Sequence, residues 1–227
     1  MAGSAPGSTL SIVTSRLRAA GCVFAEDEAQ LLISAVDTPA ELAAMVDQRV
    51  LGIPLEHILG WAEFCGLRVV LDPDVFVPRR RTEFLVHQVA ALVRTGGVVV
   101  DLCCGSGAVG AALLTTTPGI ELYAADIDPA AVRCARRNLA ANGQVFEGDL
   151  YEPLPAMLRG RVDVVVVNAP YVPRGEVRLM PPEARLYEAR AALDGGLDGL
   201  DIQRRVASEA PRWLAPGGHL LIETSEA

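Results

Sequence analysis

The stretch Val98-Val99-Val100-Asp101-Leu102-Cys103-Cys104-Gly105-Ser106-Gly107-Ala108-Val109-Gly110 decides the fold. Its first five residues predict a strand, and its small residues and glycines then turn the chain into a helix over 108–114. Val-rich strands with no polar alternation suit a parallel sheet covered on both faces. Working outward, strands over 121–125, 145–147, 162–167 and 219–223 alternate with helices over 129–141 and 200–214. That alternation predicts a doubly wound α/β sheet with right-handed crossovers.

Upstream the apolar period changes. Residues 1–8 are small and polar and read as a disordered start. From Thr9 to Leu59 the apolar residues fall at helical spacing, as in Leu10, Val13 and Leu17 or Leu42, Met45 and Val46. Thr38 before Pro39 reads as an N-cap with proline at the first helical position. Between Gly60 and Pro78 the period becomes two, with Asp72-Pro73-Asp74 read as the turn of a β-hairpin. The predicted organisation is a helical domain over 1–60, a hairpin linker over 61–78 and an α/β domain over 79–227.

The chain has 227 residues and a formal net charge of −8, and all 20 basic residues are arginine. A balance this acidic argues against a large nucleic-acid surface, which needs many uncompensated cations. Five cysteines, an odd number, make neither a disulfide framework nor a zinc spacing, so reduced intracellular thiols are expected and no metal. The start MAGSAPGSTL lacks the pattern of a signal peptide, and no apolar run approaches membrane-spanning length. A soluble, cytoplasmic protein is expected.

Gly105, Gly107 and Gly110 spell GxGxxG, and Asp126 lies near the distance of a ribose-binding acid, so a nicotinamide cofactor is one reading. Asp101, however, would repel phosphates and suits an ammonium or the loop amides. S-adenosylmethionine carries an ammonium, a sulfonium, a ribose and an adenine and no phosphate, and is the favoured ligand. Cys103 and Cys104 read as small apolar fillers rather than nucleophiles. The strand over 162–167 runs directly into Asn168-Ala169-Pro170-Tyr171, beyond a strand's carboxyl end, where ligands of open α/β sheets bind. The Asn168 side-chain carbonyl and the Ala169 backbone carbonyl can accept both hydrogens of a planar NH2 group while Tyr171 packs on its flat face.

With these residues in view, the sequence resembles the HemK-like protein glutamine N-methyltransferases that modify release factors. The resemblance rests on residues 52–60 (GIPLEHILG), Glu63-Phe64, Phe76-Val77-Pro78-Arg79, Thr82-Glu83, the glycine loop, the tetrapeptide, and residues 192–200 after Tyr187-Glu188. It implies a class I S-adenosylmethionine methyltransferase fold that methylates the glutamine of a Gly-Gly-Gln motif in a release factor. It also implies that Asn168, Ala169, Pro170 and Tyr171 hold the amide, and that Cys103, Cys104, Gly105, Ser106 and Gly107 form the cofactor loop with Asp101. Asp126 would bind the ribose, Asp149 and Leu150 would flank the adenine, and Phe76 would cover the donor. Alternatives are amino-methylation of a nucleic-acid base or small amide, and a cofactor-binding protein without turnover.

Three departures stand out: Cys103 replaces a loop glycine, Ala169 replaces a proline, and Arg79-Arg80-Arg81 replaces Arg-Pro-acid. The arginine run reads either as a solvated surface or as a contact to an acidic partner or ribosomal RNA. The fifth strand ends near Ala227, where the fold normally continues with a helix and two strands. An exposed sheet edge, with association or a low melting temperature, is the resulting expectation.

Overall fold

The computed structural model describes residues 6–140 and 142–224. The expected disordered start therefore falls on residues 1–5, outside the described residues, and is corrected at 6–8, which open a helix. Helices α1 (Pro6–Ala19), α2 (Ala25–Ser34), α3 (Pro39–Val50) and the short α4 (Leu55–Leu59) come first. Their apolar stripes meet through Val13, Leu17, Ala25, Ala29, Leu32 and Val46. Thr38 caps α3 as expected. Its hydroxyl accepts from the Glu41 N–H at 3.3 Å, and its own N–H donates to the Glu41 carboxylate at 3.2 Å, a reciprocal capping box.

Strands β1 (Trp61–Phe64) and β2 (Leu67–Val70) form the antiparallel hairpin, with Phe64 opposite Leu67. Its turn is therefore Cys65-Gly66, and the turn expected at Asp72-Pro73-Asp74 is corrected. Both turn residues have positive φ, 50° and 73°, the left-handed pair that matches strand twist in a two-residue hairpin. Residues 71–78 continue as an irregular strap. Leu71, Val75 and Val77 of the strap pack on Ala62, Ala131 and Cys134.

After a 3-10 turn (Arg80–Thr82) come α5 (Glu83–Leu92), β3 (Val98–Leu102), α6 (Ala108–Thr116), β4 (Glu121–Asp126), α7 (Pro129–Asn138), β5 (Gly143–Glu147) and β6 (Val162–Val167). Helices α8 (Pro182–Tyr187) and α9 (Asp201–Glu209) precede β7 (Leu214–Ile222). The five strands form one sheet in the order β5-β4-β3-β6-β7, every pair parallel. Every residue of β3 is buried. One face packs Val99, Leu122 and Val164 on α5 and α6, and the other packs Val100, Val165 and Val167 on Tyr151, Val206 and Trp213. The helix expected over 200–214 stops at Glu209, because Pro211 has no N–H to extend it. Strand β7 begins at Leu214 rather than His219, and its pairing slips opposite Val162–Val164 around Pro216-Gly217-Gly218.

The chain leaves β3 toward β4 on one side and leaves β6 toward β7 on the other. Neighbours β3 and β6 thus flank the switch point, where the loops after their carboxyl ends diverge and open a crevice. Among the described residues, three side-chain contacts tie the helical part to the rest of the chain. Arg49 of α3, itself buried, pairs with Glu28 at 2.6 Å and with Glu183 of α8. The Tyr187 hydroxyl donates to the Leu51 carbonyl at 3.3 Å, and His57 Nε2 lies 2.8 Å from the Val75 carbonyl.

Candidate active site

A cavity of about 510 Å³ opens at the switch point, and of the residues expected to hold the cofactor or the amide all line it except Gly107. Gly107 instead ends the loop beneath it. At φ 77° it brings its Cα where a Cβ would be strained and would crowd Ala135 at 3.1 Å, which favours glycine. Cys103 adopts φ 54°, a left-handed conformation that a Cβ disfavours, at the position where the resemblance places a glycine.

The loop amides are already committed. The Gly105 N–H donates to Asp126 Oδ2 at 2.8 Å, the Cys104 N–H to the Ala125 carbonyl at 3.2 Å, and the Gly107 N–H to the Cys104 carbonyl at 2.8 Å. A pyrophosphate would need those N–H groups free. Instead Asp101, Asp126, Asp128 and Asp149 line this end of the cavity, an environment for a cation rather than an anion. Asp149 alone among these four has an arginine partner, Arg205 at 2.6 Å.

Asp101 is 2% exposed and accepts from the Gly110 N–H at 3.2 Å. Burial pushes its carboxyl up to about 7, against the pull of that N–H and with help from the nearby Asp126 charge. Burial also raises Asp126, opposed by the N–H groups of Asp128 and Gly105. The Cys103 and Cys104 thiols are raised by burial first and by the Asp126 and Asp101 charges second, which keeps them neutral and poorly nucleophilic. Leu150 is buried in the wall beside Asp149 at φ 49°.

The opposite wall carries the tetrapeptide. Asn168 Nδ2 donates to the Thr82 hydroxyl at 3.2 Å, and Ala169 is 1% exposed. The Arg81 guanidinium hydrogen-bonds the Tyr171 hydroxyl and lies 5.6 Å from its ring centroid. Phe76, from the strap, is covered by Arg79 at 4.8 Å. Residues 189–194 return to the cavity, with the Gly195 N–H donating to the Val172 carbonyl at 2.9 Å. Residues 189–194 are thus a wall of the cavity, with Gly195 behind them on the tetrapeptide backbone.

Two of the three arginines of the run already hold partners within the chain. Arg79 pairs with the buried Glu188 at 2.6 Å, and Arg81 pairs with Glu223 at 3.1 Å. Only Arg80 of the three makes no ion pair among the described residues. Thr82, Glu223 and Arg205 are site-associated residues that the spacing did not flag. Thr82 alone carried a signal, in Thr82-Glu83.

A family model described as the methyltransferase small domain matches residues 66–199. A release factor glutamine methyltransferase of Geobacter sulfurreducens is 41% identical over 191 residues, covering 82% of this chain and 66% of its own length. That of Mycolicibacterium smegmatis is 37% identical over 203 residues, covering 87% and 72%. The chain belongs to the release factor glutamine methyltransferase family. Its fold is the class I S-adenosylmethionine-dependent methyltransferase fold, and S-adenosylmethionine is the cofactor. The acid-lined end of the cavity, with its committed loop amides, fits that cofactor and not a dinucleotide. Another relative is the 4-amino-L-phenylalanine/4-methylamino-L-phenylalanine methyltransferase of Streptomyces pristinaespiralis, 39% identical over 78% of this chain and 64% of its own length. The chain spans about two thirds of the length of these curated relatives. Among the described residues no helix is long and apolar enough to cross a membrane.

Proposed function

We propose that this protein methylates the side-chain amide of a glutamine in a protein, the Gly-Gly-Gln glutamine of a peptide chain release factor, in the cytoplasm. The observation that carries this reading is one continuous cavity with an acid-lined wall at Asp101, Asp126 and Asp149 and an amide-accepting wall at Asn168 to Tyr171. When bound, S-adenosylmethionine supplies an electrophilic methyl group on a sulfonium. Asp126 keeps lone pairs beyond its N–H contacts from Gly105 and Asp128 for ribose hydroxyls, Asp101 and residues 103–106 face an amino-acid ammonium, and Leu150 and Phe76 give apolar walls.

On the acceptor side, Asn168 Oδ1 and the Ala169 carbonyl take the two N–H groups of the substrate amide. That pairing holds the nitrogen in one orientation, with its lone pair aimed across the cavity. Tyr171, pinned by Arg81, limits the approach to one face. An amide nitrogen is a poor nucleophile, so positioning is the main source of rate here and no strong base is required. The helical domain over 1–60 would recognise the protein substrate, and the acidic net charge speaks against stable nucleic-acid binding.

Transfer of labelled methyl from S-adenosylmethionine to purified release factor tests the reading. Label is expected on the wild-type factor and none after Gln→Asn in its Gly-Gly-Gln loop. Label on 4-aminophenylalanine and none on protein would favour the small-amine chemistry named for the Streptomyces relative. Binding without any transfer would favour a non-catalytic role.

Ala169 bears on the same wall. Pro170 already restricts residue 169 to extended backbone, and the transferred contact is a backbone carbonyl, which alanine and proline share. Ala169→Pro is therefore expected to keep kcat within about threefold, less than 1 kcal/mol of barrier. A much larger loss in steady-state turnover would show that alanine itself is required.

A further inference from the structure

We propose that Thr82 is a positioning residue for the acceptor nitrogen, fixing which end of the Asn168 side-chain amide faces the substrate. This inference rests on the glutamine-methylating reading above and adds a residue to it. An asparagine amide has a donor end and an acceptor end of nearly equal shape, and rotation about its last torsion exchanges them. A substrate NH2 group needs the acceptor end. With the donor end turned inward, N–H would face N–H and the clamp would repel the group it must hold.

In the structure one of these ends, the donor end, is engaged by Thr82. Thr82 is 3% exposed, and its hydroxyl oxygen accepts from Asn168 Nδ2 at 3.2 Å. The donor end is thereby occupied at Thr82 on the cavity wall, and Oδ1 is left for the substrate. The oxygen that does this is itself held in place. The Thr82 N–H donates to the Arg79 carbonyl at 2.9 Å in the 3-10 turn, and Arg79 is anchored on buried Glu188 at 2.6 Å. The preceding residue of the same turn, Arg81, hydrogen-bonds the Tyr171 hydroxyl while paired with Glu223 at 3.1 Å. One short turn thus sets both side chains that face the acceptor, although neither Thr82 nor Arg79 needs to touch it.

Thr82→Val replaces the hydroxyl by a methyl of similar volume, and Thr82→Ser keeps the oxygen without the methyl. For methyl transfer to the release factor, Thr82→Val is expected to lower kcat by about tenfold, in line with the steep cost of sub-ångström misplacement. KM for the release factor and Kd for S-adenosylmethionine should hold within about twofold, and Thr82→Ser should restore most of kcat. A readout independent of turnover is the Asn168 side-chain amide in the nitrogen–proton spectrum, assigned by its loss in Asn168→Asp. The proton donated to Thr82 should be protected from solvent exchange in the wild type and in Thr82→Ser, and exposed in Thr82→Val.

A wild type that labels the release factor, with Thr82→Val turning over equally fast, would overturn the positioning role. So would an Asn168 amide whose exchange is indifferent to Thr82. A wild type that labels no release factor would overturn the substrate assignment instead, and the amide exchange would then decide the Thr82 contact by itself.

Discussion

Asp101→Asn is expected to raise the melting temperature by roughly 10 °C at pH 8 and to leave it nearly unchanged below pH 4, using about 2–4 °C per kcal/mol for a chain of this size. The cause lies in the burial of this carboxyl at the end of β3, which lifts it from 3.8 to about 7. Between those values the folded chain keeps a proton that the unfolded chain has released. Stability from this group therefore falls as pH rises through that window, and above pH 7 the folded protein carries the full cost of a buried charge. At about 1.4 kcal/mol per unit the cost is on the order of 4 kcal/mol. Asparagine keeps an oxygen for the Gly110 N–H and removes the charge, so the gain should appear at pH 8 and fade toward acid. Thermal melts of both proteins across pH 4–8 check the slope as well as the size. Affinity for S-adenosylmethionine should move the other way, weakening about tenfold, since a carboxylate holds an ammonium more strongly than a neutral amide does. Equal melting at pH 8 would show that Asp101 carries no buried charge.

Gly195→Ala should reduce methyl transfer by about a hundredfold while the cofactor still binds. A Cβ at residue 195 would stand 2.7 Å from the Pro170 carbonyl oxygen, 2.7 Å from that of Gly199 and 2.8 Å from the Tyr171 Cα. All three are main-chain atoms, which cannot rotate aside as a flexible side chain would. Relief must come from a shift of the Pro170-Tyr171 backbone, the wall that receives the acceptor. The cofactor end is built on β3 and β4 and does not share these contacts. Single-turnover transfer beside a binding titration separates the two effects, and wild-type turnover would show that the loop gives way without moving the tetrapeptide.

The parallel sheet was readable because its strands are fully buried, and burial on both faces leaves a plain run of valines such as 162–167. Both walls of the cavity were readable for a related reason: each sits at the end of such a strand, where topology alone puts ligands. The hairpin turn was misplaced because Asp72-Pro73-Asp74 is the stronger local turn signal, whereas Cys65-Gly66 works through left-handed backbone that cysteine seldom adopts. The helix over 200–214 was drawn too long because the apolar spacing continues to Trp213, across Pro211. The arginine run was beyond local reading, since Glu188 and Glu223 lie more than 100 residues away in the chain. The contact of Thr82 with Asn168 was hidden for the same reason, its partner being 86 residues distant.

The three ties between the helices and the sheet body have a mechanical consequence. Arg49 to Glu183, Tyr187 to Leu51 and His57 to Val75 are spread over α3, the residue that follows it, α4, α8 and the strap. A single tie would act as a pivot, but ties at separate points remove the freedom to swing. The helical part is then the fixed jaw of a caliper, set at one opening from the cavity. A protein seated against that jaw would present its loop to Asn168 only if the distance from its docking face to the loop tip matched the opening, so selection would be by span as well as by sequence.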